Sequence, residues 1–355
     1  MKRQSQSVVF LVPGSIETPT GGYVYDRRVI EGLRRLGWTV ELRQLDGSFP
    51  HPTSEALEHA AHVVAGVRDG GLVVVDGLAF GAMPDLVERE AWRLRFAALV
   101  HLPLAADIGL DRDECARVEA SERRALAAAS LVTVTGTATL AMLERYGLLA
   151  DRTVVVEPGT DPAPLARGSG SDRVHLLCVA TLHSGKGHDV LFRALAALPH
   201  RRWHLTCAGS VTRDPETVER LGELLRTEGL ESLVTMVGEL DSASLAELYD
   251  RADVFVLATL QETYGMAVAE ALARGLPVVG TTTGALPELV GDVAGLLVPP
   301  GDVGALSGAL ARMLDDAPLR ARAAAGARRV RERLPTWEHA AARMAAALGR
   351  VVSDE

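Results

Sequence analysis

The chain has 355 residues, a formal net charge of −9 and 48% hydrophobic residues. That length suits two domains of ordinary size, and the acidic balance, present in both halves, speaks against a nucleic-acid partner. No run of about 18 apolar residues occurs, which excludes a membrane-spanning helix, and the scattered Cys115, Cys178 and Cys207 lack metal spacing and read as small apolar residues of a reduced, cytoplasmic protein.

The first residues, MKRQSQSVVFLVPGS, read as a buried strand over Val8 to Val12 rather than as a signal peptide. A Pro- and Gly-rich loop follows, then a helix through Leu36 and a strand from Trp38 to Leu42. The pair Gly21-Gly22 in this loop would let backbone approach a ligand closely, or would serve a plain flexible loop; no G-x-G-x-x-G dinucleotide fingerprint is present. Strands are expected at Gly71 to Asp76, Phe96 to Val100, Leu131 to Thr135 and Thr153 to Val156. His101 follows the second of these, at a strand end, where open α/β sheets bind ligands. Asp111-Arg112-Asp113 imitates a D-x-D metal motif but begins a polar run that reads as a solvated helix with capping acids.

Residues 158–172, rich in Pro, Gly and Ser, read as a linker. Beyond it a second α/β series is expected, with strands at Val174 to Val179, Trp203 to Ala208, Leu233 to Val237, Val254 to Ala258, Pro277 to Gly280 and Leu296 to Val298. Trp337 to Val351 reads as a final amphipathic helix. The domains are therefore placed at 1–165 and at 173–333, with a helix at 336–352 beyond them.

Of 37 basic residues only Lys2 and Lys186 are lysine, so an internal Lys invites a reason. Lys186 lies in SGKG, which lacks the first glycine and the Ser/Thr of a P-loop, yet a compact ammonium beside two glycines suits a phosphate oxygen. The stretch from Val254 to Val279 reads as strand, polar corner, helix and strand. Glu262 lies in the corner, Gly265 before the helix, and Glu270 about 7 Å along it at 1.5 Å rise per residue. Between the two acids lie the unpaired amides and positive dipole end of the first turn. Acceptor, donors, acceptor is an order that fits a nucleotide sugar, with Glu262 on sugar hydroxyls, the amides of residues 265–267 on phosphates and Glu270 on the ribose. Arg274, four residues after Glu270, also allows an ordinary surface ion pair.

QETYGMAVAEALARGLPVV, with Glu262-x7-Glu270, resembles the E-x7-E signature of the family 4 retaining glycosyltransferases of GT-B fold. The resemblance extends over nearly the whole chain and implies two doubly wound, Rossmann-like α/β domains facing across a cleft, with donor on the second and acceptor on the first. It also implies a metal-independent, hexosyltransferase-like enzyme with no cofactor beyond a UDP-, GDP- or dTDP-sugar. The implied catalytic residues are His101, in a His-x-Pro-like position beside the transferred sugar, Lys186 and Glu262. Implied donor contacts are Gly21, Gly22, Thr181, Lys186, Gly209, Gly238, Leu240, Glu262, Tyr264, Gly265, Met266 and Glu270, with Thr281 to Gly284 as a final donor loop. Ala180-Thr181 stands where the family usually has Gly-Arg, so one customary diphosphate cation is missing; His183 and Arg27 are candidates to replace it. The final helix is expected to cross back to the first domain.

The expected chemistry is same-face transfer to a hydroxyl of a small molecule, glycan or lipid, a phosphate oxygen taking the acceptor's proton. The rival classes are a non-catalytic, sugar-nucleotide-binding GT-B subunit, for which the missing Gly-Arg speaks, and a nicotinamide oxidoreductase, against which the absent fingerprint speaks. Membrane contact is at most peripheral, through Arg89, Trp92, Arg93 and Arg95, which also read as a solvated helix face.

Overall fold

The computed structural model describes residues 6–147 and 150–353; Lys2 lies outside them. All twelve expected strands form, each within a few residues of its expected bounds. In the first sheet these are β1 (Ser7–Pro13), β2 (Thr39–Leu45), β3 (Leu72–Asp76), β4 (Arg95–Val100), β5 (Leu131–Val134) and β6 (Thr153–Val155). The second sheet holds β7 (Val174–Val179), β8 (Trp203–Ala208), β9 (Val234–Gly238), β10 (Val254–Leu257), β11 (Val278–Thr281) and β12 (Gly295–Val298). Branched apolar runs such as Leu72–Asp76 and Val254–Leu257 are buried along their whole length, as parallel strands covered on both faces require.

Both sheets are parallel, ordered β2-β1-β3-β4-β5-β6 and β12-β11-β10-β7-β8-β9. Each order reverses once: the first chain run steps from β1 to β2 and then back across β1 to β3, and the second steps outward from β7 to β9 and then returns to β10. At such a switch the two following loops leave in opposite directions and open a crevice at the strands' C-terminal ends. The loops after β1 and β3 therefore form the rim of one sheet, and those after β7 and β10 the rim of the other.

The chain divides into two compact units, Met1–Gly159 with Pro335–Glu355, and Thr160–Leu334. The expected boundary lay later, at residues 165–173, because the Pro-, Gly- and Ser-rich stretch was read as a linker. Instead this stretch is fixed to the second unit. Ala166 N–H donates to the Arg274 carbonyl at 2.9 Å, the amides of Arg167 and Gly168 donate to the Asp250 carbonyl, and Ser169 binds the Asp253 carboxylate at 2.7 Å. The Arg331 guanidinium holds the Ala163 carbonyl at 2.9 Å.

The helix Trp337–Ser353 packs on the helix Gly21–Arg35 within the first unit. The Arg28 guanidinium lies 5.1 Å from the Trp337 ring centre, and the Tyr25 ring meets Trp337 at 6.0 Å. A further helix, Ala317–Val330, was not anticipated. Its Arg- and Ala-rich sequence shows no large apolar stripe, since its buried face is made only of Ala323, Gly326, Ala327 and Val330.

Candidate functional site

In the second unit, the loop after β7 makes a short 3-10 turn, Ser184–Lys186, closed by Gly187 at φ +63°. A Cβ there would stand 2.1 Å from the Ala258 carbonyl oxygen, so only glycine lets this loop lie against the end of β10. Hydrogen bonds join the two loops: Leu260 N–H and the Thr259 hydroxyl both donate to the Gly185 carbonyl, at 2.9 and 3.2 Å. The result places Lys186 Nζ 2.9 Å from Glu262 Oε2, both side chains largely buried. The two expected groups thus meet across the switch point, each the other's counter-ion. Thr263 N–H also donates to Glu262 Oε1 at 3.1 Å.

Gly265, at φ +93°, then turns the chain into the helix Met266–Ala273. Among the described residues no side chain caps this helix, and its first internal bond runs from Ala269 N–H to the Gly265 carbonyl. The preceding amides of the first turn are left directed out of the helix start, beside the Lys186–Glu262 pair. Glu270 lies further along. Its Oε2 accepts from the Tyr249 hydroxyl at 3.0 Å, while Arg274 donates to the Glu270 carbonyl and stacks over the Tyr249 ring at 4.3 Å. The simple Glu270–Arg274 surface pair is therefore replaced by a tyrosine-centred arrangement. Burial pushes the Glu270 carboxyl up, with the Tyr249 hydroxyl and Arg274 pulling the other way.

The remaining expected donor residues fall on the same rim in different ways. Gly209 follows β8 and donates its N–H to the Gly238 carbonyl at 2.9 Å, while Leu240 is exposed beyond β9. Thr181 follows β7 and accepts from His183 N–H; the His183 imidazole in turn accepts from Gly185 N–H at 3.2 Å, capping the turn that carries Lys186. Met266 opens the helix. Tyr264 differs: its ring is buried with Ala269 and Ala285, which leaves its main chain on the rim. Arg27, the other candidate cation, belongs to the first unit and donates to the Ile16 carbonyl.

The first unit's rim gathers a group that sequence reading did not assemble. His101 follows β4, and Gly22, in the first turn of the helix Gly21–Arg35, lies against its ring. His101 Nε2 lies 2.9 Å from Asp26 Oδ1 and 3.7 Å from Asp76 Oδ2, both acids being buried. Asp76 also accepts from Leu78 N–H at 2.8 Å, and the Tyr25 ring meets the imidazole edge-on at 5.3 Å. Burial, and then the Asp26 charge beside it, pushes the Asp76 carboxyl up. Burial alone would pull the His101 imidazole down, but Asp26 and then Asp76 outweigh it, so His101 is pushed up overall. The same three side chains are also a possible cation ligand set. The signal for Asp76 was its place as the last residue of a strand; Asp26, within YVYDRR, gave none.

Two other expectations resolve locally. Asp111 caps the helix Arg112–Ala127 in a capping box with Glu114, so the D-x-D resemblance is a helix start. Arg93 is committed to Glu90, Asp69 and the carbonyls of Val64 and Val67, and Arg95 to the carbonyls of Val351 and Val352. Of the four residues considered for membrane contact, Trp92 and Arg89 stand exposed, Trp92 at 81% and the Arg89 side chain at 60%, with Arg89 reaching Glu90 at 3.2 Å. Among the described residues no helix is long and apolar enough to cross a membrane.

Residues 173–316 match the model of the family described as Glycosyl transferases group 1. The matched residues lie wholly within the second unit, Thr160–Leu334. It is 34% identical over 245 residues to the D-inositol 3-phosphate glycosyltransferase of Xylanimonas cellulosilytica, covering 64% of this chain but only 58% of that relative. It is 27% identical over 321 residues to the MMP alpha-(1->4)-mannosyltransferase of Mycolicibacterium hassiacum, covering 86% of this chain and 76% of that one. The fold is GT-B: the sucrose-phosphate synthase of Thermosynechococcus elongatus superposes with a TM-score of 0.82, at 23% identity, over 99% of this chain and 100% of its own. Anabaena HepE in complex with UDP-glucose gives a TM-score of 0.78 at 19% identity, over 97% and 99% of the two chains.

Proposed function

We propose that this glycosyltransferase moves a hexose from a nucleoside-diphosphate sugar to an acceptor hydroxyl with retention of anomeric configuration. The carrying observation is the Lys186–Glu262 pair at 2.9 Å, set at a switch point beside an uncapped helix start. A cation, a row of amides and an acid at one crevice meet the needs of a donor whose diphosphate leaves and whose sugar hydroxyls must be held. Diphosphate entry draws Lys186 toward the phosphates and frees Glu262 to accept from the sugar. Glu270 takes ribose hydroxyls, its carboxylate steadied by Tyr249. UDP leads the candidate bases because HepE, a relative in fold, is known with UDP-glucose.

The developing negative charge on the leaving diphosphate meets Lys186 and the amides near Gly265, while the sugar takes on oxocarbenium character. Two acids spaced along one helix mouth suit binding better than double displacement, so attack comes from the leaving group's face, a phosphate oxygen accepting the acceptor's proton. His101, its imidazole pushed up by Asp26 and Asp76, is the proposed contact for a sugar hydroxyl. The acceptor is a polyol, glycan or lipid hydroxyl, and cytoplasmic work on soluble donors fits this scheme.

A second reading, a sugar-nucleotide-binding subunit without turnover, keeps one point in its favour: Thr181 supplies no cation where the family usually has arginine. Incubation with a panel of UDP-, GDP-, ADP- and dTDP-sugars, with and without polyol and glycan acceptors, separates the two. Release of nucleoside diphosphate with an α-configured product from an α-donor supports transfer. Binding without release of diphosphate supports the subunit, and an inverted product contradicts retention. Activity abolished by EDTA and restored by Mn2+ contradicts the metal-independent scheme.

A further inference from the structure

Cys178 and Cys207 are direct partners across the β7–β8 ladder. Neighbours in register on parallel strands send their side chains to one face of the sheet. His188 opens the helix His188–Ala196, and the left-handed Gly187 before it brings the ring onto that face, with Nε2 3.7 Å from Cys178 Sγ. The three side chains are 1%, 0% and 2% exposed, and one ligand atom from each lies within 4.8 Å of the others. We infer that Cys178, His188 and Cys207 form a binding site for one thiophilic metal ion of the Zn2+ class, at the root of the loop that carries Lys186.

Three arguments carry this. A zinc ion with Zn–S near 2.3 Å and Zn–N near 2.0–2.1 Å holds sulfur and nitrogen about 3.6 Å apart at a tetrahedral angle, close to the separation already present. Two thiolates, a neutral imidazole and a divalent ion sum to zero charge, the condition a dry interior tolerates; the two thiol protons pass to solvent on binding. Finally, the buried His188 ring turns Nε2 to the Cys178 thiol, while Nδ1 has no hydrogen-bond partner among the described residues, so the imidazole's polar contact is directed at the two cysteines, where a ligand nitrogen has to stand. Thiolate and imidazole select Zn2+ or Cu+ over Mg2+ and Ca2+. The sequence hid the set because its members come from two strands and a helix start rather than from one short motif. A bound ion would tie together both ends of the residues 179–187 segment, and so brace the Lys186 loop without entering the reaction.

The test uses the full chain, reduced and stripped of metal, and a spectroscopic readout that is independent of the donor assignment. Co2+ alone should produce a thiolate-to-metal charge-transfer absorption that saturates at one ion per chain and disappears on addition of Zn2+. Zn2+ alone should raise the midpoint of thermal unfolding. Cys207→Ser should lose both effects and Cys115→Ala should keep them. The wild-type titration decides even where a core variant fails to fold: no saturable charge-transfer band overturns the proposal, as does a band that survives in folded Cys207→Ser. Recovery of Cys178 and Cys207 as a mutual disulfide that excludes Co2+ overturns it as well.

Discussion

His101 sits in a field made by two acids, and that field makes a kinetic prediction. Asp26 and then Asp76 push the imidazole up against the pull of its burial. Asp26→Asn removes the nearer charge and lowers the His101 pKa. The alkaline limb of the kcat profile should then move to lower pH, with little change in donor KM; an unmoved limb would show that protonated His101 is not used. His101→Ala, Lys186→Ala and Glu262→Gln should each cut kcat/KM by about tenfold or more, the scale of lost transition-state contacts. Wild-type rates in all three would refute the roles.

Glu122, away from the rim, makes a separate claim about stability. Both of its oxygens accept from Leu104 N–H, Oε2 also accepts from the Tyr146 hydroxyl, and burial still raises the carboxyl from 4.5 to about 7. A raised carboxyl binds its proton in the folded state at pH values where the unfolded chain has released it. Its stabilisation is therefore full below about 4.5 and is lost as pH rises toward 7, by up to about 3 kcal/mol. Asp76 and His101, both pushed up, act in the same direction. Thermal unfolding midpoints should fall from pH 5 to pH 8, and Glu122→Gln should flatten the fall; a wild-type midpoint that rises over this range contradicts the account.

At the scale of elements, glycine-closed turns decide whether the rim forms. Gly187→Ala would force a Cβ to within 2.1 Å of the Ala258 carbonyl in a left-handed conformation. A loss of about 1–3 kcal/mol and a weakened donor response are expected, read by denaturant titration and donor binding. The strands themselves were legible because apolar runs in parallel sheets announce burial without periodicity. Glu262, Glu270 and Lys186 were legible because their motifs are local. What stayed hidden was non-local: the Lys186–Glu262 ion pair, the Asp26–Asp76–His101 group, and the Tyr249 hydroxyl on Glu270, each joining residues from different loops or helices. The helix Ala317–Val330 was hidden for another reason, since its buried face is made of small residues that carry no hydrophobic signal. The residues 160–172 misled because Pro, Gly and Ser mark turns equally in a free linker and in a strap fixed by hydrogen bonds.

For the whole molecule, one architectural rule is used twice. Each six-stranded parallel sheet reverses its order once, and at the rim beside each reversal the chain gathers charged side chains: Asp26, Asp76 and His101 in one unit, Lys186 and Glu262 in the other. The final helix contributes by returning to the first unit through Trp337. Trp337→Ala should cost about 3–5 kcal/mol, the usual loss for a buried tryptophan, seen as a lowered unfolding midpoint. An unchanged midpoint would mean that the helix is not held there.

The central claim is that Lys186, Glu262 and the start of the helix Met266–Ala273 grip a nucleoside-diphosphate sugar. It is tested most directly by titrating wild type, Lys186→Ala and Glu262→Gln with UDP and with UDP-glucose in a calorimeter, repeating with GDP and dTDP donors. The account predicts saturable binding of at least one donor to wild type, with Lys186→Ala losing affinity for nucleotide and sugar nucleotide alike and Glu262→Gln losing only the sugar's contribution. Equal affinity in all three proteins, or no binding of any donor to wild type, would contradict it.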